Sequence, residues 1–334
     1  MGSIAWLVIA LGIILAGAEF FVNGVEWLGK RLNLSEGAVG SVLAAVGTAL
    51  PETIIPIIAI VFGHGQEGNE IGIGAIIGAP LMLATLAMFV SGIAVLLFKN
   101  RREHGSKVLA DYTIMTRDLG FFIVVYTTAV LAGLIPVQFR WVQILIAVLL
   151  VFSYCWYVYT TFSQERDVSA DHDLPPCYFD KKRARLPMIS LQVVVALIFI
   201  VLGANLFVDS VKAVAMIYAV PVFVLAIIIT PIATELPEKF NSVIWISREK
   251  DTLALGNITG AMVFQSSLIP AIGILLTDWQ LTNSALISAL LALLSAGLLF
   301  IELKTNKHIR ALYLLIGGFF YAIFLAAVFA GLIR

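Results

Sequence analysis

The sequence predicts an all-α polytopic membrane protein, with ten transmembrane helices arranged as two inverted five-helix repeats. Three observations carry that expectation. Of 334 residues, 60% are hydrophobic and only 13% are charged, about half the charged share of a soluble domain. The apolar residues gather into ten runs, each near the roughly 20 residues needed to cross the hydrocarbon core. Lysine and arginine then alternate from loop to loop, and part of the first half of the chain recurs in the second.

The runs cover 4–28, 36–62, 70–98, 117–135, 138–162, 188–212, 222–246, 252–276, 281–301 and 311–332. Between them, 17 of the 21 basic residues fall on one side, including Lys99, Arg101 and Arg102 after span three and Lys181, Lys182, Arg183 and Arg185 after span five. Only Arg140, Lys212 and Arg334 fall on the other side, and Lys239 lies inside span seven. The positive-inside rule then places the 163–187 loop in the cytoplasm and both termini outside. An integral protein of a prokaryotic plasma membrane is the expected setting. A cleavable signal peptide is not expected, because the N-terminus lacks a basic region and its apolar run is too long. A net charge of zero gives no reason to expect a nucleic-acid partner. Cys155 sits in an apolar run and Cys177 in a polar loop, so no disulfide framework is expected.

At an offset of 186, residues 17–52 align with 203–238 without a gap, and nine of the 36 positions are identical. Gly17-Ala18 meets Gly203-Ala204, and Thr48-Ala49-Leu50-Pro51-Glu52 meets Thr234-Glu235-Leu236-Pro237-Glu238. Gly74 and Gly78 recur as Gly256 and Gly260 at offset 182. Residues 1–162 therefore read as a first five-helix repeat and 188–334 as a second. Five is odd, so the second copy is inverted in the membrane, an arrangement in which substrate binds near the midplane at the repeat interface.

Glu52 and Glu238 lie deep in spans two and seven, where an ionisable group is costly and faces a cavity or a partner. Each follows a proline. Pro51 offers no amide hydrogen to the carbonyl of Gly47, nor Pro237 to that of Ala233, and lipid supplies no substitute. Each helix thus presents a carboxylate, a carbonyl oxygen and a threonine hydroxyl, Thr48 or Thr234. Oxygen-only ligands suit a hard cation such as Ca2+, and two carboxylates balance one divalent ion. A neutral, hydrogen-bonded polar cluster is the alternative. Glu235 adds a third carboxylate three residues before Glu238, on nearly the same face, where its repeat mate is Ala49. Crowding raises the pKa of one such acid, which makes Glu235 a candidate proton carrier. Lys239 is either a counter-charge or a snorkelling stem. Asn257 and Gln265 are polar and deep in span eight, whereas Gly74, Gly78, Gly256 and Gly260 fit close helix packing. Glu19, Glu26 and Asp209 lie toward helix ends. All four histidines fall in loops, which removes the usual ligands of an intramembrane metalloenzyme.

Gly47-Thr48-Ala49-Leu50-Pro51-Glu52, Ala233-Thr234-Glu235-Leu236-Pro237-Glu238 and Leu255-Gly256-Asn257-Ile258-Thr259-Gly260 resemble the α-1 and α-2 motifs of the cation/calcium exchanger superfamily, here within 44–83 and 230–267. The resemblance implies ten helices in two inverted halves. It also implies Glu52 and Glu238 as central Ca2+ ligands, with Thr48 and Thr234 contributing oxygens. The chain departs from sodium-coupled members at Ala49, Glu235, Ala75, Ala79, Leu83, Ala261 and Gln265, where those members carry other, mostly hydroxyl or amide, residues. Na+ needs several oxygens per site, so a carboxylate-rich and hydroxyl-poor site fits H+ coupling better. The proton-coupled branch usually shows a different α motif, and Mn2+ or Mg2+ stays open as the substrate. The expected function is Ca2+/H+ antiport by alternating access, with no cofactor and no enzymatic activity. Na+/Ca2+ exchange is the second reading. A channel, a membrane enzyme and a transport-inactive scaffold are the readings from other classes.

Overall fold

A computed structural model describes residues 2–31, 50–63, 65–164, 176–180 and 185–330, with side chains undescribed at 26, 29, 50, 162–164 and 236–241. The described residues are nearly all helical. The helices are α1 (Gly2–Arg31), α2 (Leu50–Phe62), α3 (Gly65–Met82), α4 (Met88–Phe98), α5 (Tyr112–Ala132), α6 (Arg140–Gln164), α7 (Leu186–Tyr218), α8 (Val222–Ser247), α9 (Asp251–Leu276), α10 (Asn283–Asn306) and α11 (Ala311–Phe329). A π-helical turn, Leu83–Ala87, joins α3 to α4 into one span.

Among the described residues, eight helices are long and apolar enough to cross a membrane, and Pro51–Phe62 and Val222–Glu235 are shorter apolar helices. The two short ones fall in spans two and seven. In α8 the helical backbone runs on to Ser247. Span four starts earlier than its charges suggested. Asp111 caps α5, its side chain accepting from the amides of Thr113 and Ile114 at 2.8 and 2.9 Å. Such a cap satisfies two of the orphan donors of a first turn. Arg117 and Asp118 are therefore carried inside the helix rather than in the loop.

Contacts divide the chain into two compact units, Met1–Gly68 with Cys155–Ala219, and Asn69–Tyr154 with Val220–Arg334. Each draws on both halves of the sequence. The core of the first unit is the α1–α7 pair. A Cβ on Gly17 would meet the side chain of Ile200 at 2.8 Å and the carbonyl of Ala196 at 3.2 Å. One on Gly203 would meet Ile14 at 2.8 Å and the carbonyl of Ala10 at 3.2 Å. The glycines let the backbones approach closely, as small residues do in membranes. The facing residues run in opposite order along the two helices, so the pair is antiparallel.

Residues 176–180 fold back onto this pair rather than lying free in a polar loop, and Cys177 is only 1% exposed. The reason is two amides buried within the helices, Asn23 and Gln192. Gln192 donates to the Phe20 carbonyl at 2.8 Å and to Asn23 Oδ1 at 3.0 Å, and accepts from the Phe179 amide at 3.1 Å. Asn23 accepts from the Tyr178 amide at 3.3 Å and donates to the Pro176 carbonyl at 3.4 Å. The Tyr178 hydroxyl donates to Glu19 at 3.0 Å, which holds the phenol pKa above its ordinary value.

In the second unit, α3 crosses α8 through Gly74 and Gly78. A Cβ at Gly74 would lie 2.9 Å from the carbonyl oxygen of Phe223, and one at Gly78 would collide with that of Ile227. Pro231 cannot donate to the Ile227 carbonyl, and that is the oxygen Gly78 lies against. The π turn is supported from two helices. Ser295 donates to the Ala84 carbonyl at 2.6 Å and Thr85 to that of Leu81, while Gly317 packs against the Thr85 carbonyl.

Arg102 ties the loops of this unit together. Its guanidinium is bidentate on Asp251 at 2.7 and 2.8 Å and also donates to the carbonyls of Ile246 and Lys107 at 2.7 and 3.1 Å. The Leu109 amide donates to the same carboxylate at 2.9 Å. Beside it, β1 (Lys107–Val108) pairs antiparallel with β2 (Ile309–Arg310). Deleting one member of a buried bidentate pair strands the other's charge, at about 3–5 kcal/mol. Arg102→Ala and Asp251→Ala should each lower the melting temperature in detergent strongly, and the double variant should fall by less than the two losses added. Additive losses would show the pair to be uncoupled.

Candidate cation site

The residues of the expected site fall in both units, Glu52 in the first and Thr234, Glu235 and Gln265 in the second. In the first, Glu52 stands in the first turn of α2 and is 6% exposed, on a helix whose Ile55, Ile58 and Ala59 are core residues. Pro56, inside the same helix, has no amide hydrogen to offer the turn that carries Glu52. Gly47 and Thr48 lie outside the described residues.

In the second unit the residues lie on α8 and α9. Ala233, Thr234 and Glu235 are all buried, the last two at 1% exposure. Thr234 donates its hydroxyl to the Thr230 carbonyl at 3.0 Å, which leaves the hydroxyl oxygen able to accept. Glu235 Oε1 accepts from Gln265 Nε2 of α9 at 3.1 Å, so Glu235 and Gln265 meet as span seven crosses span eight. Among the described residues, Gln265 Oε1 and the Thr230 hydroxyl are buried with no hydrogen-bond partner. In a medium without water such oxygens are expensive. Glu238 lies on the α8 backbone, but its side chain is outside the described residues, as is that of Lys239. Asn257 is half-buried on α9.

Among the described residues, no three of His, Cys, Asp and Glu gather closely enough to hold a metal ion. Where α8 crosses α9 the polar side chains are a carboxylate and an amide, Glu235 and Gln265, oxygen donors of the kind that suit a hard cation. Of the glycines at the repeated positions, Gly74 and Gly78 pack as expected. Around Gly256 and Gly260 nothing among the described residues lies within 4 Å of an added Cβ.

Asp118, Asp251 and Glu302 are buried acids that the sequence reading does not single out, and Asp118 is the one that bonds to the glycine motif of α9. Asp118, 2% exposed on α5, accepts from the Thr259 hydroxyl of α9 at 2.8 Å and from Arg117 at 3.2 Å. Asp118 directly follows Arg117, and the pair reads as the edge of a polar loop. The available signal was Asp111, an N-cap residue whose recognition moves the helix start to 112 and carries Asp118 two turns inside.

The model of the family described as "Sodium/calcium exchanger protein" matches residues 2–163 and 189–330. An uncharacterized membrane protein of Methanocaldococcus jannaschii is 23% identical over 306 residues, 91% of each chain. Two solved structures share the fold at low identity. An H+/Ca2+ exchanger, CAX, superposes with a TM-score of 0.73 at 16% identity, over 98% of this chain and 82% of its own. The sodium-calcium exchanger NCX_Mj gives 0.58 at 19% identity, over 97% of each.

The Glu235–Gln265 contact makes a direct expectation. Gln265→Leu removes the donor to a buried carboxylate, a loss of about 1–3 kcal/mol. It should lower the melting temperature and also shrink any rise that added Ca2+ produces. A melting temperature equal to wild type, with the Ca2+ response intact, would remove Gln265 from the site.

Proposed function

The chain belongs to the sodium/calcium exchanger protein family, and from that premise we propose that it is a secondary active antiporter, exchanging Ca2+ for H+ by alternating access. The observation that carries this reading is in the second unit. There, at a position whose first-half counterpart is Ala49, Glu235 meets Gln265 in a buried crossing, and Gln265 Oε1 has no hydrogen-bond partner among the described residues.

The architecture we propose is ten spans in two inverted halves, 1–162 and 188–334, joined by a cytoplasmic 163–187 loop, with both termini outside. The α1–α7 contact supports it. Ala10, Ile14 and Gly17 have Ala196, Ile200 and Gly203 as counterparts at offset 186. Gly17 meets Ile200 and Ala196, while Gly203 meets Ile14 and Ala10. Exchanging the halves reproduces the contact, as a two-fold axis between antiparallel helices requires.

Within this frame Glu52 and Glu238 are the central divalent-cation ligands, with Thr48, Thr234, Asn257, Gln265 and the carbonyls of Gly47 and Ala233 completing the oxygen shell. Ca2+ takes about six to eight oxygens, and these residues supply that number. Glu235 carries the exchanged proton. A proton binds a carboxylate with no further ligands, whereas Na+ needs an oxygen cage that Ala49, Ala75, Ala79 and Ala261 cannot provide. Because the ligands bind metal only when deprotonated, proton and metal compete. Na+/Ca2+ exchange is the second reading, favoured by the fold shared with NCX_Mj.

Reconstitution in sealed vesicles tests this. An outwardly directed proton gradient without sodium should drive Ca2+ uptake, and the apparent Ca2+ affinity should weaken as external pH falls from about 8 to 6. Glu52→Gln and Glu238→Gln should each abolish flux while folded protein stays in the membrane. Glu235→Ala should flatten the pH dependence more than it weakens Ca2+ binding. Uptake that demands a sodium gradient and ignores pH transfers the assignment to Na+/Ca2+ exchange. Wild-type flux in both glutamine variants ends the site assignment.

A further inference from the structure

α9 carries Leu255-Gly256-Asn257-Ile258-Thr259-Gly260, and its two glycines make this the least stiff part of the helix, at about 1 kcal/mol each relative to alanine. One face of the stretch, Gly256, Asn257, Gly260 and Ala261, is half-buried. The other, Leu255, Ile258, Thr259 and Met262, is fully buried, and α9 packs along α5. Thr259 and Asn257 are two residues apart and so lie about 200° apart around the helix. The Thr259 hydroxyl is 3.5 Å from the Gly256 carbonyl and 3.9 Å from Met115 Sδ, but its short contact is to Asp118 Oδ2 at 2.8 Å. A carboxylate acceptor makes that bond stronger than a neutral one.

We propose that Asp118 is a positioning residue for the transported cation: through Thr259 it holds the glycine-flanked turn of α9 from behind, and so fixes where Asn257 on the opposite face is presented. A buried acid two turns into a span is costly enough to call for a function, and the transport site proposed above does not use this one. Three features make it a support for that turn and not general packing. The bond reaches the motif itself. It crosses between helices. At offset 182 the residue in Thr259's place is Ile77, whose side chain cannot make it, so the support belongs to the second half alone. Arg117, whose Nε lies 3.2 Å from Asp118 Oδ1, helps orient the carboxylate. The inference rests on the reading of this chain as a Ca2+ carrier with Asn257 in its site.

The test is a double-variant cycle on equilibrium 45Ca binding to purified protein, which needs no knowledge of the coupling ion. Asp118→Ala and Thr259→Val should each raise the Kd for Ca2+ by about tenfold. The double variant should bind no worse than either single one, because both remove the same bond. Thr259→Ser keeps the hydroxyl and should stay within about twofold of wild type. If Asp118→Ala does not fold, Asp118→Asn takes its place, and a Kd raised by at least about threefold is then expected. Single variants with wild-type Kd, or losses that multiply to about a hundredfold in the double variant, would overturn the proposal while leaving the transport reading intact. A wild-type protein that binds no Ca2+ would overturn both.

Discussion

The bilayer interior offers no hydrogen-bond partner, so each polar group carried into it must be answered by another part of the same chain. Most of the described structure follows from that constraint. Asn23 and Gln192 are buried between α1 and α7, and they draw residues 176–180 down onto the pair to saturate themselves. The π turn in span three disturbs the regular ladder of carbonyls, and Ser295, Thr85 and Gly317 are the residues found at those oxygens. Arg102 and Asp251, where two loops meet, answer one another and four backbone groups besides. Against this background the oxygens left over are informative. Nothing among the described residues answers the Thr230 hydroxyl, or the Oε1 of Gln265, whose amide donates to Glu235.

Near-symmetry and its breaking run through the molecule. The α1–α7 seam uses the same three residue types from each half. The chemistry does not repeat so faithfully. Glu235 stands opposite Ala49, and Thr259 opposite Ile77. The second half has acquired both the extra carboxylate and the hydroxyl that Asp118 grips, and the first half has neither. On the proposed reading, one half supplies ligands while the other supplies ligands and the means of adjusting them.

Much of this could be read from the residues. Long apolar runs mark spans because length and hydrophobicity alone decide whether a helix crosses, and the Pro-Glu pairs stood out because lipid makes both residues costly. The rest was hidden for specific reasons. A span started at Arg117 follows the basic residues before it and passes over the N-cap at Asp111. Asp118 is lost with it. The fold-back of 176–180 had no local signature, since it depends on Gln192 and Asn23 lying beside each other in space across 169 residues of sequence. The π turn at Leu83–Ala87 likewise depends on Ser295 from another helix. Periodicity reports which face of a helix is apolar, and it carries nothing about which distant side chain will reach that face.

The seam between α1 and α7 has an implication for ancestry. A contact in which Gly17 meets Ile200 and Ala196 while Gly203 meets Ile14 and Ala10 is self-complementary, the form of contact that two identical subunits make across a dyad. A shorter polypeptide bearing one Ala-x-x-x-Ile-x-x-Gly patch would meet a second copy of itself, inserted upside down, over the same surface. Fusing the two copies removes the need for one product to insert in both orientations and frees the halves to diverge separately. On the proposed inverted-repeat reading, the seam has the form that such a pair of copies would share.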